Sequence, residues 1–284
     1  MILDGKALAL SIHQDIRKRV TTLTNKPGLA VVLVGDDPAS HIYVAHKEKA
    51  CNELGFYSEK HVLPISAAQE ELLALIRSLN SSPKIHAILV QLPLPAHLDS
   101  FAVIAAIDPC KDVDGFHPKN LGNLVAGNEV LAPCTPRGII RLIESTHEAI
   151  GGKHAVVIGR SMIVGRPIAL MLLNRSATVT ICHSKTTNLQ GHTLQADILV
   201  AAVGKPCFVT ADMVKKGARV IDVGMNRHNG KLVGDVDFEH VAEKCSWITP
   251  VPGGVGPMTI AMLMENTLRC YDYQHGSQQR NKSN

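Results

Sequence analysis

The chain has 284 residues, 45% of them hydrophobic and 19% charged, with a formal net charge of +4, a length that predicts two domains with sizeable cores. No apolar run approaches the roughly 20 residues of a membrane span, and Met1-Ile2-Leu3-Asp4-Gly5-Lys6 has no signal-peptide core, so a cytoplasmic protein without a membrane partner is expected. Scattered basic residues and few aromatics argue against a nucleic-acid platform, while seven dispersed cysteines and 14 histidines show neither disulfide nor metal-ligand spacing, so no metal is assigned.

In chain order, Leu8, Ile12, Ile16 and Val20 recur every four residues and predict a helix, followed by a β-branched apolar strand over 29–34. Ser40 is placed to cap a helix running to Gly55, and 56–63 reads as a strand. Ser66-x-x-Gln69 has the form of a capping box opening a helix over 70–79, before a buried strand over 85–90. Strands that are apolar throughout predict a parallel sheet covered by helices on both faces.

A second series opens at Thr135-Pro136, read as a helix cap with proline at the first helical position and a helix over 137–145. Its candidate strands are 154–158, 178–182, 198–203 and 218–223, with a helix over 167–173, which together predict a doubly wound nucleotide-binding domain. Asn229-Gly230 is a hairpin signal, and the polar residues 274–284 are expected to form a disordered tail.

Four features carry candidate chemistry. The run Pro250-Val251-Pro252-Gly253-Gly254-Val255-Gly256-Pro257-Met258-Thr259 fixes a backbone path and leads into helical spacing over 258–268. It reads as a binding loop or as a tight connection. Gly159-Arg160-Ser161-Met162-Ile163-Val164-Gly165-Arg166-Pro167 lies between a strand and a helix, where a phosphate-binding turn belongs. Ser161 and Val164 stand where GxGxxG has its second and third glycines, so an ordinary strand-to-helix turn is the alternative. The next strand ends in His183-Ser184-Lys185, without the carboxylate that would hold a ribose 2′-OH, and with Arg160 this favours a 2′-phosphate and hence NADP. Tyr43 and Lys47 share a helix face, Gln91 ends a strand, and Asp114 lies in a turn; alone, these read as a surface pair, a strand-end residue and an Asx turn.

Taken together, Tyr43-x-x-x-Lys47, Gln91-Leu92-Pro93-Leu94, Lys111-Asp112-Val113-Asp114-Gly115, Pro133-Cys134-Thr135-Pro136, Gly159-Arg160-Ser161 with Val164-Gly165-x-Pro167, and Pro252 to Thr259 resemble the bifunctional methylenetetrahydrofolate dehydrogenase/methenyltetrahydrofolate cyclohydrolase family, in its order and over nearly the whole chain. One departure is His86-Ala87, where the family usually has Asp-Gly, which puts the local turn in question.

The resemblance implies an α/β fold of two domains with a folate cleft between them. A folate-binding catalytic domain would cover 1–135 and be completed by a C-terminal helix over about 258–273; a Rossmann-like NADP domain would cover 136–257. It implies Lys47, Gln91 and Tyr43 as catalytic residues, and Tyr43, Asp114, Pro252, Gly253 and Gly254 as folate-binding residues. Gly159, Arg160, Ser161, Gly165, Ser184, Thr135 and Met225 would bind NADP, and the chain would be a homodimer. A dehydrogenase without the cyclohydrolase step and a non-catalytic NADP-binding protein are the alternatives.

Overall fold

The structure, a computed structural model, describes residues 1–228 and 230–281, without the side chains of Ala39 and of residues 277–281. The chain gathers into two compact units. One comprises Met1–Ser11, Leu124–Asn128 and Thr135–Met262; the other comprises Ile12–Asn123, Glu129–Cys134 and Leu263 onward.

In chain order, α1 (Gly5–Thr21) leads to β1 (Gly28–Val34), α2 (Pro38–Leu54), β2 (Tyr57–Leu63), α3 (Gln69–Ser81) and β3 (Ala87–Val90). The short helices α4 (Ser100–Ala105) and α5 (Pro118–Val125) follow. The three strands form a parallel sheet in the order β2-β1-β3. All seven residues of central β1 are buried, which is why they read as one apolar run. Leu72, Ile76 and Leu79 form one stripe of α3 and join a core with Ala30, Val32 and Ile88. Each such side chain contributes roughly 1.5–3 kcal/mol on burial.

Two caps in this unit differ from expectation. Asp37, not Ser40, caps α2: its carboxylate accepts the Ser40 N–H at 2.8 Å, and Pro38 occupies the first helical turn. An ionised acceptor ahead of a proline is the stronger stop for that turn. At α3 the capping box does not form, because Gln69 accepts the Asp99 N–H instead, and Ala68 takes the cap position without a side-chain bond.

The other unit contains α6 (Cys134–Glu144), β4 (His154–Ile158), α7 (Gly165–Leu173), β5 (Thr178–Cys182), α8 (Leu189–Thr193), β6 (Ile198–Ala201) and β7 (Arg219–Asp222). The chain continues through the hairpin strands β8 (Asn226–His228) and β9 (Lys231–Val233), then α9 (Phe238–Ala242) and β10 (Trp247–Ile248). The long α10 (Val255–Asn281) begins here. Helix α6 starts one residue before Thr135, so Thr135 is not its cap; its hydroxyl lies 3.0 Å from that of Thr259.

A five-stranded parallel sheet runs β10-β7-β6-β4-β5. Counted from β4 this is the doubly wound order 2-1-3-4-5, whose topological switch lies between β4 and β6. The two-residue β10 extends the sheet beyond the four expected strands. β8 and β9 pair antiparallel, with Gly230 at φ 75° in the turn, while Asn229 lies outside the described residues.

Met1–Ser11 groups with this unit and not with the N-terminal half expected for it. The reason is backbone pairing: the Leu3 N–H reaches Ile248 O at 2.8 Å, and the Met1 amino group reaches Ser246 O at 2.6 Å. The expected tail is also different, since α10 continues through Asn281. The first two residues of the expected tail are anchored: Gln274 Nε2 donates to His86 O at 2.8 Å, and the Tyr271 and His275 rings stack at 4.0 Å. Residues 282–284 lie outside the described residues. Among the described residues no helix is long and apolar enough to cross a membrane.

Candidate active site

Helix α2 puts Tyr43 and Lys47 one turn apart, and β3 delivers Gln91 at its carboxyl end, beside the switch between β1 and β3. The Gln91 N–H continues the sheet to Val32 O at 2.8 Å. This fixes its side chain so that Lys47 Nζ donates to Oε1 at 2.9 Å, while Nε2 donates to Leu92 O at 2.6 Å. Burial pushes Lys47 below the ordinary lysine range, opposed by the charges of Asp114 and Cys134. Burial pushes Asp114 up to about 6, opposed by Lys47. The two groups therefore sense each other in one partly dry environment, which makes Lys47 a weaker base than an exposed lysine and readier to pass a proton on.

The turn that carries Asp114 is built by its neighbours. Lys111 Nζ donates to the carbonyls of Leu79, Asn80 and Ser82, closing the C-terminus of α3. Asp112 accepts from the Phe116 and His117 N–H groups and from Asn120 Nδ2, so the first carboxylate of Asp-Val-Asp is structural. Gly115 has φ 72°, and a Cβ there would lie 2.6 Å from Ala132 C. His86 resolves the departure at the other end of β3. Burial, then the neighbouring His275 and Lys111, hold it down to about 4; the ring is neutral and its Nδ1 accepts the Gly28 N–H at 3.0 Å.

In the other unit, Gly159 and Gly165 shape the turn after β4. A Cβ on Gly159 (φ 124°) would lie 2.2 Å from Ala202 O, and one on Gly165 would lie 2.2 Å from Gly159 O. Gly165 thus does the close packing that fingerprint spacing assigns to position 164. Ser161 does not merely replace a glycine: its Oγ accepts the N–H groups of Val164 and Gly165 at 3.2 and 3.3 Å and holds the turn open. Arg160 and Ser161 are exposed. Because β4 and β5 pair Ile158 with Cys182, the exposed Ser184 follows the neighbouring strand end, where no carboxylate stands. The cradle fits a dinucleotide phosphate, and its cationic rim fits a 2′-phosphate.

The Gly/Pro run forms a tight loop before α10. Pro252 is exposed and Gly253 has φ 111°. Gly253 O accepts the Lys6 N–H at 3.0 Å, and a Cβ on Gly254 would lie 2.7 Å from Pro250 O, so the glycines serve packing as well as access. Met225, 45% exposed, follows β7, with its sulfur 3.8 Å from where a Cβ on Gly256 would stand. Among the described residues no group of His, Cys, Asp or Glu is placed to hold a metal ion.

Comparison with known proteins decides what this pair of units is. The model of the tetrahydrofolate dehydrogenase/cyclohydrolase catalytic domain matches residues 3–114, and that of the NAD(P)-binding domain of the same family matches 133–275. The chain belongs to the tetrahydrofolate dehydrogenase/cyclohydrolase family. It is 59% identical over 271 residues to the bifunctional protein FolD of Moorella thermoacetica, covering 94% of this chain and 97% of that one. It is 55% identical over 284 residues to that of Nitrosospira multiformis, covering 99% of each. Among solved structures, the FolD methylenetetrahydrofolate dehydrogenase/cyclohydrolase of Campylobacter jejuni matches with a TM-score of 0.95 at 50% identity, over 96% of this chain and 99% of that chain. The Trypanosoma brucei enzyme, complexed with NADP cofactor and inhibitor, matches with 0.93 at 38% identity, over 96% and 98%.

For this tetrahydrofolate dehydrogenase/cyclohydrolase, sequence reasoning missed the brace behind Asp114. Asn266 of α10 is fully buried, and its Nδ2 donates to Val113 O at 2.8 Å and Ala132 O at 3.0 Å. Cys134 Sγ reaches Val113 O at 3.3 Å. Removing the amide would take a donor from both buried carbonyls and leave Val113 O only the weak thiol of Cys134, where an unsatisfied buried carbonyl costs about 1–3 kcal/mol. The available signal was an asparagine inside an apolar helical stretch, a poor fit to a core unless it bonds across to another segment.

Proposed function

We propose that the chain oxidises 5,10-methylenetetrahydrofolate to 5,10-methenyltetrahydrofolate with NADP and hydrolyses that product to 10-formyltetrahydrofolate, with Lys47 as the proton-transfer residue. The observation that carries the reading is the Lys47–Gln91 bond in a partly desolvated site that also holds Asp114. NADP bound along the Gly159 turn supplies the hydride acceptor.

The residues of the chain do the positioning and the proton chemistry. Gly159, Arg160, Ser161, Gly165 and Ser184 hold the phosphates and ribose, with Thr135 and Met225 further along the cofactor. Tyr43 stacks on the folate, Asp114 accepts from the pterin's amino and ring N–H donors, and Pro252, Gly253 and Gly254 line the substrate. Oxidation moves a hydride and no proton, and the resulting cation is shared by two nitrogens, so that step asks mainly for alignment. Hydrolysis adds water to the amidinium carbon. Lys47 Nζ, made less basic by burial, accepts a proton from that water while Gln91 Oε1 orients the amine. The hydroxyl proton of the adduct passes to N5 as the C–N5 bond breaks, leaving the formyl group on N10 and releasing one proton overall.

This enzyme works as a homodimer in the cytoplasm. Edge strand β5 leaves Ile181 42% exposed, and α7 leaves Leu173 56% exposed, apolar surface suited to a second copy. Cysteines without disulfides among the described residues fit a reducing compartment.

Starting from 5,10-methenyltetrahydrofolate without nucleotide, hydrolysis is expected to run well above the buffer rate; a rate equal to buffer removes the hydrolase half of the proposal. Cofactor choice is tested at Arg160. A guanidinium and a hydroxyl donating to a 2′-phosphate contribute about 1.5–3 kcal/mol each, so kcat/KM should favour NADP over NAD at least about tenfold. Arg160→Ala should erase most of this preference while use of NAD changes little. An equal drop with both cofactors would mean that Arg160 shapes the turn only.

A further inference from the structure

Asp235 is completely buried, yet no cation pairs with it among the bonds its carboxylate makes. Oδ2 accepts the N–H groups of Val203 at 2.6 Å and Gly204 at 2.9 Å. Oδ1 accepts the N–H of Lys205 and Nδ2 of Asn226, each at 2.9 Å. A second carboxylate holds this one in place. Asp222, at the end of β7, takes the Asp235 N–H at 2.8 Å on Oδ1 and the Val236 N–H at 2.9 Å on Oδ2. Two glycines make the room: a Cβ on Gly224 would lie 2.4 Å from Asp235 Oδ1, and one on Gly234 would lie 1.8 Å from Asp222 Oδ2.

Four donors offset the desolvation of a buried carboxylate, but such a group adds little stability that apolar packing could not supply. Its distinctive product is geometry. Three successive backbone N–H groups converge on one carboxylate, which fixes the path of 203–205. That segment continues β6 at its carboxyl end, and β6 and β4 flank the switch where doubly wound sheets bind ligands. The two walls are in contact, since Ala202 O leaves no room for a Cβ on Gly159. The loop is thus gripped from behind, with its N–H groups turned to Asp235.

We infer that Asp235 is a positioning residue for nicotinamide-dinucleotide binding: without touching the cofactor, it presets the backbone of 203–205 as the wall facing the Gly159 turn. This rests on the function proposed above. Asp235→Asn replaces an acceptor by a donor that faces backbone donors, and should raise the KM and the Kd for NADP at least about tenfold. The KM for folate and the hydrolysis of methenyltetrahydrofolate without nucleotide should change by no more than about twofold, because neither uses that wall. A merely structural role would lower both activities together.

Gly204→Ala tests the loop from its own side and carries the test if Asp235→Asn does not fold. Gly204 sits at φ 66°, and a Cβ added there would meet nothing within 4 Å, so alanine strains only the backbone and should shift NADP affinity in the same direction by less. Unchanged NADP affinity in the folded variants, or hydrolysis falling in step with it, would overturn the inference alone. Wild-type protein that fails to bind NADP in the same titration would overturn the functional reading and the inference with it.

Discussion

Lys47→Met is expected to lower hydrolysis of 5,10-methenyltetrahydrofolate by about 100-fold or more, the scale of a lost general acid/base. Methionine keeps most of the stem's volume but cannot accept or return a proton. The fold should survive, because the main loss is the donor to Gln91 Oε1. That costs about 1–3 kcal/mol against a typical total of ~5–15 kcal/mol. NADP-dependent oxidation should fall far less, since hydride transfer needs no proton from Nζ. A variant that hydrolyses the methenyl substrate at the wild-type rate would remove Lys47 from the mechanism.

Asp114→Asn should weaken both activities together through folate binding and leave NADP affinity almost unchanged. Asparagine matches the size of the carboxylate but turns a donor toward the pterin's own donors. The loss should be about 10- to 100-fold in folate affinity, the range for a charged hydrogen-bond partner left unmatched. A pH signature separates this role from a plain turn residue. Burial raises Asp114 to about 6, so the carboxylate that accepts from the pterin is present above that pH and is neutralised as pH falls through it. Wild-type folate affinity should therefore decline below about pH 6, and Asp114→Asn should lack that limb. Binding titrations across pH decide this; the same limb in both proteins would assign it to another group.

Much of the fold is legible because the two larger sheets are parallel and their central strands are buried. β1, β3 and β6 are buried along their whole length and so read as continuous apolar runs, while β7 is equally buried but carries Arg219 and Asp222 at its ends. β10 escapes notice because two residues carry no period; only its pairing with β7 defines it. The helix starts that differ from expectation turn on which partner a polar side chain meets. Asp37 outranks Ser40 because its charge and the following proline suit the cap, and Gln69 is drawn away to Asp99 by a contact 30 residues distant.

In the candidate site, a helix face and a strand end place Lys47 and Gln91, but only the family resemblance marks them as candidate catalytic residues. Their bond shows that a lysine and a glutamine 44 positions apart meet. The partners of Asn266 and Asp235 are not readable for the opposite reason. Each acts by reaching backbone groups far away in sequence, at 113 and 132 or at 203–205, and backbone acceptors and donors leave no mark on side-chain patterns.

The most direct test is a progress curve of the wild-type protein with 5,10-methylenetetrahydrofolate and NADP, read at once for reduced nucleotide and for the methenyl chromophore. Reduced nucleotide should rise while the methenyl signal passes through a maximum and then decays faster than in protein-free buffer. The absence of nucleotide reduction, or a methenyl signal that decays only at the buffer rate, would contradict a two-step enzyme built around Lys47.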